Sequence, residues 1–164
     1  MLAPVLEGRV DDLRRTLDGL PDEELSPLAR VRGLHFSRWV IVPDLVYGAE
    51  PQRPDRLRRP LLIFTSTFDG SLDDHLDALI EGLGETADAV WSHCDGWPGR
   101  ERAPGWMRAR RVKTGLLVAA YPATSVEGVR SALAARERLL ALAEETQRAD
   151  TATLRRRFLE ELAP

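Results

Sequence analysis

The chain is poor in several residue types whose presence would point to a class of protein. It has one cysteine, Cys94, among 164 residues, which excludes an intramolecular disulfide framework and favours a reducing compartment. No apolar run approaches the ~20 residues that a membrane helix needs. The opening segment MLAPVLEGRVDDLRR lacks the basic stretch, the apolar stretch and the cleavage site of a signal peptide. We therefore expect a cytoplasmic protein without a membrane partner.

Lysine is also scarce, since Lys113 is the only lysine among 23 basic residues, and the formal net charge is -3. The other basic residues are arginines that are scattered along the chain. The densest basic stretches, 53–59 and 108–113, are short. A nucleic-acid-binding protein needs a concentrated basic face. We therefore expect no nucleic-acid partner.

What the chain does contain is a balanced mixture of apolar and charged residues. Hydrophobic residues make up 43% of the chain and charged residues 30%, which is typical of a globular protein. A length of 164 residues suits one domain with a single core. We expect residues 1–164 to form one domain, with an N-terminal helical extension over 1–30, a core over 31–145 and a C-terminal helix over 150–162.

Apolar residues at steps of three and four predict a helix over 5–20, which Pro21 ends. Its apolar stripe consists of Leu6, Val10, Leu13, Leu17 and Leu20. Further helices are predicted over 72–83, from Ser125 onwards and over 151–162, with short helical segments over 22–30 and 106–111. The helix after Ser125 has an apolar side that includes Val129, Leu133, Leu139 and Leu140. We expect this side to lie on a sheet.

Segments rich in β-branched and aromatic residues predict strands over 31–43, 61–68, 87–93 and 114–121. In the first strand, side chains alternate between two faces. One face has Leu34, Phe36, Arg38, Val40 and Val42, and we expect it to be the core side. The other has His35, Ser37, Trp39 and Ile41, and we expect it to line a cavity or an interface. The apolar start of 61–68 predicts an interior position in the sheet.

The turn after the second predicted strand has the sequence Phe-Asp-Gly-Ser. Asp69 and Gly70 suit a turn, and Ser71 suits the N-cap of the following helix, with Asp74 as its capping partner. Gly84 is a natural end for that helix. The functional alternative is that exposed amides at the helix start hold an anion or a carboxylate.

The order of these elements indicates an α+β fold. We expect a ferredoxin-like sandwich, in which helices cover one face of a four-stranded, mostly antiparallel sheet and further helices lie at both termini. The uncovered face needs a cover, which a face-to-face homodimer would supply. The face of His35, Ser37, Trp39 and Ile41 suits that role.

Three blocks of the sequence resemble a known family. They are LHFSRWVIV at 34–42, LIFTSTFDGSLDDHLDALI at 62–80 and WSHCDGWPG at 91–99. The blocks are similar to small bacterial dimeric α/β-barrel, ferredoxin-like domains, which are mostly uncharacterised and loosely associated with dye-decolorising-type peroxidases. The resemblance covers roughly residues 31–130. It implies a ferredoxin-like dimer, with haem as a candidate cofactor.

The end of the third predicted strand supplies the candidate catalytic residues His93, Cys94 and Asp95. A thiolate beside an imidazole can act as a nucleophile, but no cysteine-hydrolase signature surrounds Cys94. No further Cys or His at ligand spacing completes a metal set, so we predict no metal site. Ser66, Ser71 and Ser92 lack a G-x-S-x-G context. The structural alternative is a buried Cys94 and a hydrogen-bonded His93.

The candidate substrate- or cofactor-binding residues are His35, Arg38, Trp39, Asp69, Trp91 and Trp97. A haem would need an axial histidine, from His35, His75 or His93, and a distal group such as Asp69, Asp95 or Arg38. We interpret His75, beside Leu72 and Leu79, as a boundary residue of its helix. Trp91, Trp97 and Trp106 could wall an apolar pocket, although tryptophan is as often a core or interface residue.

Two functions remain open. The first is a small-molecule-binding or oxidoreductase-type domain, with its pocket between the face of His35 and Trp39 and the strand ends at Asp69 and His93. The alternative is a non-enzymatic dimerisation or interaction module for a partner enzyme. An enzyme should keep a polar-lined cavity after dimerisation, whereas a module should have that face filled by its partner.

Overall fold

The computed structural model describes residues 1–22, 26–46, 48, 50, 55–113, 115, 118, 121–147 and 149–162. The chain divides into two compact units, Met1–Val118 and Ala119–Pro164. The described part of the first unit contains the strands β1 (Leu2–Pro4), β2 (Leu34–Val42) and β3 (Leu61–Phe68). Its α-helices are α1 (Val10–Asp18), α2 (Leu72–Leu83), α3 (Glu85–Trp91) and α4 (Ala103–Ala109), with 3-10 helices at Pro27–Arg30 and Arg100–Arg102. The second unit contains α5 (Val126–Glu145) and α6 (Thr151–Leu162).

The three strands form one antiparallel open sheet in the order β1-β3-β2. The predicted α+β class is therefore confirmed. The interior position predicted for 61–68 is also confirmed, since β3 pairs with β1 on one edge and with β2 on the other. The predicted strand over 114–121 falls mainly on positions outside the described residues, which include only Gly115, Val118 and Tyr121 of that segment.

The two faces of β2 are the reverse of the prediction. Trp39 and Ile41 pack against the buried core, whereas Phe36 is 77% exposed and Val40 is 40% exposed. Burying the face of Phe36 and Val40 would also remove the Arg38 guanidinium from water, which is costly for an unpaired charge. The part of this face formed by Trp39 and Ile41 is therefore covered by the chain itself and is not open for a homodimer. A shift in the β2–β3 register between Leu34 and Phe36 places Leu34 against the core as well.

Helix α2 begins and ends where the sequence predicts. The Ser71 side chain accepts a hydrogen bond from the Asp74 backbone N–H at 3.2 Å, and its hydroxyl donates to the Asp74 carboxylate at 2.7 Å. Gly84 ends the helix with a φ of 52°, a left-handed conformation that favours glycine. The buried side chains of α2 include Leu76, Leu79 and Leu83, so its apolar stripe faces the core.

The prediction of a strand over 87–93 is wrong, because these residues belong mainly to helix α3. Ala87, Val90 and Trp91 are fully buried, at steps of three and one rather than in alternation. That spacing suits one side of a helix. The conformation of Gly84 allows the chain to leave α2 and begin α3 at the next residue.

The helix predicted over 5–20 is shorter than expected. It begins at Val10 and ends at Asp18, because Leu2–Pro4 pairs with β3 as an edge strand and Val5 forms an isolated bridge with Cys94. Ala3 and Val5 are fully buried in these extended positions. Within 22–30, residues 23–25 lie outside the described part, and Pro27–Arg30 form a 3-10 helix. The short helix predicted over 106–111 lies over Ala103–Ala109.

The second unit begins its first helix at the predicted residue. The Ser125 hydroxyl accepts a hydrogen bond from the Gly128 backbone N–H at 3.1 Å and caps α5. Val129, Leu133, Leu139 and Leu140 of this helix are 40–52% exposed. Helix α6 has the bounds predicted from the sequence. None of the helices in the described ranges is long and apolar enough to cross a membrane.

The core of the first unit is organised around aromatic rings. Trp39 and Phe64, which face each other across β2 and β3, have ring centroids 5.5 Å apart. Trp91 from α3 meets the Phe64 ring edge-on at 5.4 Å. Trp97 stacks on Trp91 at 5.7 Å. This cluster joins the sheet to α3 and fixes the position of the segment that follows it.

Candidate functional site

An open cavity of about 730 Å³ lies between β3, α2 and the end of α4. Its lining residues are Met1, Leu2, Ile63, Phe64, Thr65, Ser66, Phe68, Leu72, His75, Leu76, Met107, Arg108, Arg111, Val112 and Lys113. Most of the wall is apolar. A volume of this size is within the range of sites that hold small molecules.

Two hydrogen-bonded polar side chains, one from β3 and one from α2, line the cavity. Ser66 Oγ and His75 Nε2 lie 2.9 Å apart. The imidazole of His75 also stacks on the ring of Phe68, with centroids 3.8 Å apart and planes 3° from parallel. Ser66 is on the face of β3 that Leu62 and Phe64 share, because side chains alternate along a strand. The alternation therefore directs its hydroxyl towards α2.

His75 is neutral at physiological pH. Its side chain is 3% exposed, and burial lowers its pKa to about 4. Its Nδ1 atom is buried and has no hydrogen-bond partner among the described residues. An unpaired buried N–H is rarer than an unpaired acceptor, so we assign the proton to Nε2, which then donates to Ser66 Oγ. The hydroxyl hydrogen of Ser66 is thereby left for another acceptor.

Cationic side chains from α4 and the residues after it line the rim of the cavity. Arg108 binds Asp73, with Nη2 and Oδ1 2.5 Å apart. Arg111 and Lys113 are exposed, and the described part of the chain contains no ion pair for either of them within 4.0 Å. None of the described residues that line the cavity is acidic. The rim therefore carries an excess of positive charge.

His93, the first candidate catalytic residue, is buried against α1 instead of lining the cavity. Arg9 approaches His93 Nδ1, with Nη2 at 3.1 Å and Nε at 3.3 Å. Since Nδ1 then accepts, Nε2 carries the proton and donates to Thr16 Oγ1 at 3.3 Å. Burial and the Arg9 charge lower the pKa of His93, and Asp12 partly opposes them. Both ring nitrogens are engaged, so His93 attaches α1 to the end of α3.

Cys94 lies beside His93 but has the environment of a structural residue. It is 2% exposed, and burial raises the pKa of its thiol to about 12, although Arg110 opposes the shift. Its backbone N–H donates to the Trp91 carbonyl at 2.9 Å. A nucleophile must be a thiolate, so this environment favours the structural interpretation of Cys94.

Asp95 is held by two arginines. Its Oδ2 lies 3.2 Å from Arg59 Nη2, and its carbonyl accepts from Arg110 Nη2 at 3.2 Å. The Arg110 guanidinium also stands over the Trp106 ring, 4.3 Å from the centroid. Asp95 thus fixes a bend whose next residue, Gly96, has a φ of 68°.

His35 and Asp69 are brought together by the sheet. His35 Nε2 and Asp69 Oδ1 lie 2.8 Å apart, and the Asp69 backbone N–H donates to the Gly33 carbonyl at 2.8 Å. Both side chains are partly exposed. Arg38 is on the uncovered face of β2. None of these residues lines the cavity.

The predicted tryptophan wall is part of the core. Trp91 is fully buried, Trp39 packs against Phe64, and the indole N–H of Trp97 donates to Asp88 Oδ1 at 2.9 Å. Trp106 meets Trp97 edge-on at 5.1 Å. None of these four tryptophans lines the cavity.

Sequence reasoning therefore missed the Ser66–His75 pair. One signal was present, since alternation places Ser66 on the same side of β3 as Leu62 and Phe64, where an apolar residue is expected. His75 follows Leu72 by three residues and precedes Leu79 by four, which puts it beside the buried stripe of α2. The sequence does not reveal that these two positions face each other.

The histidines do not offer a haem ligand in the described cavity. Only His75 lines it, and its nitrogens are hydrogen-bonded or buried. Over the described ranges, no group of three or more His, Cys, Asp or Glu side chains is placed to hold a metal ion.

Comparisons of the chain with protein-family models, with curated proteins and with solved structures gave no match.

Proposed function

We propose that the protein binds a small, partly apolar anion in the cavity between β3, α2 and α4. The observation that carries the proposal is the partly buried Ser66–His75 pair in a mainly apolar cavity with a cationic rim. A few directed polar groups in a mostly apolar wall are typical of small-molecule sites. The proposal narrows the small-molecule-binding function expected from the sequence.

The apolar part of the ligand would lie against the interior wall. Phe68, Leu72, Leu76 and Met107 are available there. Removing apolar surface from water contributes roughly 25 cal/mol per Å². The Ser66 hydroxyl would donate to an acceptor oxygen of the ligand, which gives the bound molecule one orientation.

The anionic part of the ligand would lie at the rim. Arg108 is already neutralised by Asp73, which leaves Arg111 and Lys113 to attract a carboxylate or sulfonate. Both are exposed, so their contribution is mainly to steer the ligand and to fix its direction, and it falls as salt is added.

The geometry supports binding more than acyl transfer. A serine nucleophile needs a base that accepts its proton and a third group that orients the base. Here Nδ1 of His75 has no orienting partner in the described part of the chain. Its Nε2–H donates a hydrogen bond to Ser66 Oγ, so Nε2 is not available to accept the serine proton. The site also offers no support for the oxidoreductase part of the expectation.

A four-stranded ferredoxin-like sheet, membership of the dimeric α/β-barrel family and a cytoplasmic homodimer remain proposals. The support for a dimer is the exposure of Phe36 and Val40 on the uncovered sheet face. This is the face opposite to the one suggested by the sequence.

A titration with 1-anilinonaphthalene-8-sulfonate, an apolar anion that fluoresces when bound, tests the proposed function. We expect saturable binding that decanoate displaces and that decanol, which lacks the charge, displaces at least ten-fold less well. Lys113→Gln with Arg111→Gln should weaken the binding of both anions. Arg130→Gln, on exposed surface of α5, is the matched control. Non-saturating binding, or equal affinity in all variants, would contradict the proposal.

A further inference from the structure

The main chain of β3 is paired along only part of one edge. β1 pairs with Leu61–Ile63. Met1 then exchanges two hydrogen bonds with Phe64, from Phe64 N–H to the Met1 carbonyl at 3.0 Å and from the Met1 ammonium to the Phe64 carbonyl at 2.6 Å. Beyond Phe64, no strand in the described ranges pairs with this edge, whereas β2 accompanies the opposite edge as far as Phe68.

The unpaired groups can be identified from the register. The Pro60 carbonyl accepts from Val5, and both main-chain groups of Phe64 bond to Met1. Main-chain groups of alternate residues face the same edge of an antiparallel strand. The N–H and C=O groups of Ser66 and Phe68 therefore face the unpaired side, and both residues line the cavity.

Within the described part of the chain, this edge of β3 has none of the residue types that usually protect an unpaired strand. The sequence from Thr65 to Phe68 is Thr-Ser-Thr-Phe, without proline or charge. Protected edges carry such residues, or a covering element, because exposed main-chain groups readily pair with another strand. The edge of β3 is thus suited to accept a further strand.

Resting on the proposed binding function, we propose that the anion is the carboxyl-terminal end of an extended peptide from a partner protein, which adds to β3 beside Ser66–Phe68. An extended main chain presents donors and acceptors in the alternation that this edge requires. Four residues of such a strand span about 13 Å, the length of the unpaired stretch from Thr65 to Phe68. The terminal carboxylate complements Arg111 and Lys113, and one side chain packs against Leu72 and Leu76.

The test uses a pentapeptide of alternating valine and threonine with a free carboxylate and an amino-terminal fluorescein, and binding is followed by anisotropy. The affinity tag belongs at the C-terminal end of the protein, since Met1 lines the cavity. Ser66→Pro removes the N–H that faces the peptide, whereas Ser66→Ala removes only the hydroxyl and is the matched control. The N–H of residue 66 does not serve the β2 ladder, so proline is compatible with this position.

We expect the peptide to bind Ser66→Pro at least ten-fold more weakly than Ser66→Ala, while 1-anilinonaphthalene-8-sulfonate binds both equally. A peptide that is N-methylated at alternate residues, or that ends in an amide, should bind wild-type protein at least ten-fold more weakly than the parent peptide. This second comparison does not depend on the folding of Ser66→Pro.

Equal binding of the parent and N-methylated peptides would overturn the inference. Binding of the fluorescent anion without binding of any peptide would also overturn it, and would leave the proposed function intact. If neither the anion nor the peptides bind, both proposals fail.

Discussion

Ser66 Oγ on β3 and His75 Nε2 on α2 lie 2.9 Å apart, although nine positions separate the two residues in sequence. The contact joins the middle of the sheet to the first half of the helix that covers it. Both side chains stand where the core would otherwise be apolar. They add polar groups to the cavity wall, and protonation of His75 should affect stability.

Replacing His75 should distinguish packing from hydrogen bonding. His75→Phe keeps an aromatic ring against Phe68 and removes the unpartnered Nδ1, so we expect the free energy of unfolding to change by no more than about 1 kcal/mol. His75→Ala leaves a cavity and should cost about 2–4 kcal/mol. Urea unfolding at pH 7 measures both. A larger loss in the phenylalanine variant would show that the hydrogen bond to Ser66 dominates.

Acid should destabilise the wild type more than His75→Phe. The folded-state pKa of His75 is about 4, below its ordinary value of 6.5, so the unfolded chain takes up this proton first. The stability contribution is therefore present above pH 6.5 and is lost as the pH falls towards 4. The loss is at most about 3 kcal/mol, at 1.36 kcal/mol per pKa unit.

The measurement is the difference in urea midpoint between the two proteins at pH 7, 5.5 and 4.5. Taking the difference cancels the acid sensitivity of His93, whose pKa is also lowered. A constant difference across this range would exclude His75 as the responsible group.

Cys94 should react with iodoacetamide only after unfolding. Burial raises the pKa of its thiol to about 12, so the thiolate fraction in the folded protein is negligible at pH 7.5. We expect labelling to be at least 100-fold faster in 8 M urea than in buffer. Mass spectrometry of timed samples gives both rates. Fast labelling of the native protein would restore Cys94 as a candidate nucleophile.

Substitutions in β2 should show which face of the strand is buried. Trp39→Ala removes a ring from the aromatic cluster and should cost about 3–5 kcal/mol. Phe36→Thr, on the uncovered face, should cost less than about 1 kcal/mol, because Phe36 is 77% exposed and threonine suits a strand. Thermal unfolding measures both. If the two costs are similar, a second copy of the chain covers Phe36, which concentration-dependent melting would reveal.

Several elements followed directly from local patterns. The Ser71 cap, the apolar stripe of α2 and the end at Gly84 depend on residues close in sequence, and the same holds for the Ser125 cap of α5. The apolar start of β3 was enough to place it inside the sheet. These features need no knowledge of distant partners.

The failures depended on partners that are distant in sequence. Ala87–His93 is apolar enough for a strand, and its helical state is decided by the burial of Val90 and Trp91 in a core built by β2 and β3. Residues Leu2–Pro4 become a strand only because β3 offers an edge. The core face of β2 was misjudged because alternation defines two faces without saying which one the helices cover. The cavity was missed because the sequence does not show that Ser66 on β3 and His75 on α2 face each other.

The aromatic cluster makes the first unit optically distinct from the second. All four tryptophans, at positions 39, 91, 97 and 106, belong to Met1–Val118, and the described part of Ala119–Pro164 is mainly helix. Indole emission therefore reports the melting of one unit alone, while far-ultraviolet circular dichroism also records α5 and α6. The difference between the two melting curves would separate the stabilities of the two units in the intact chain.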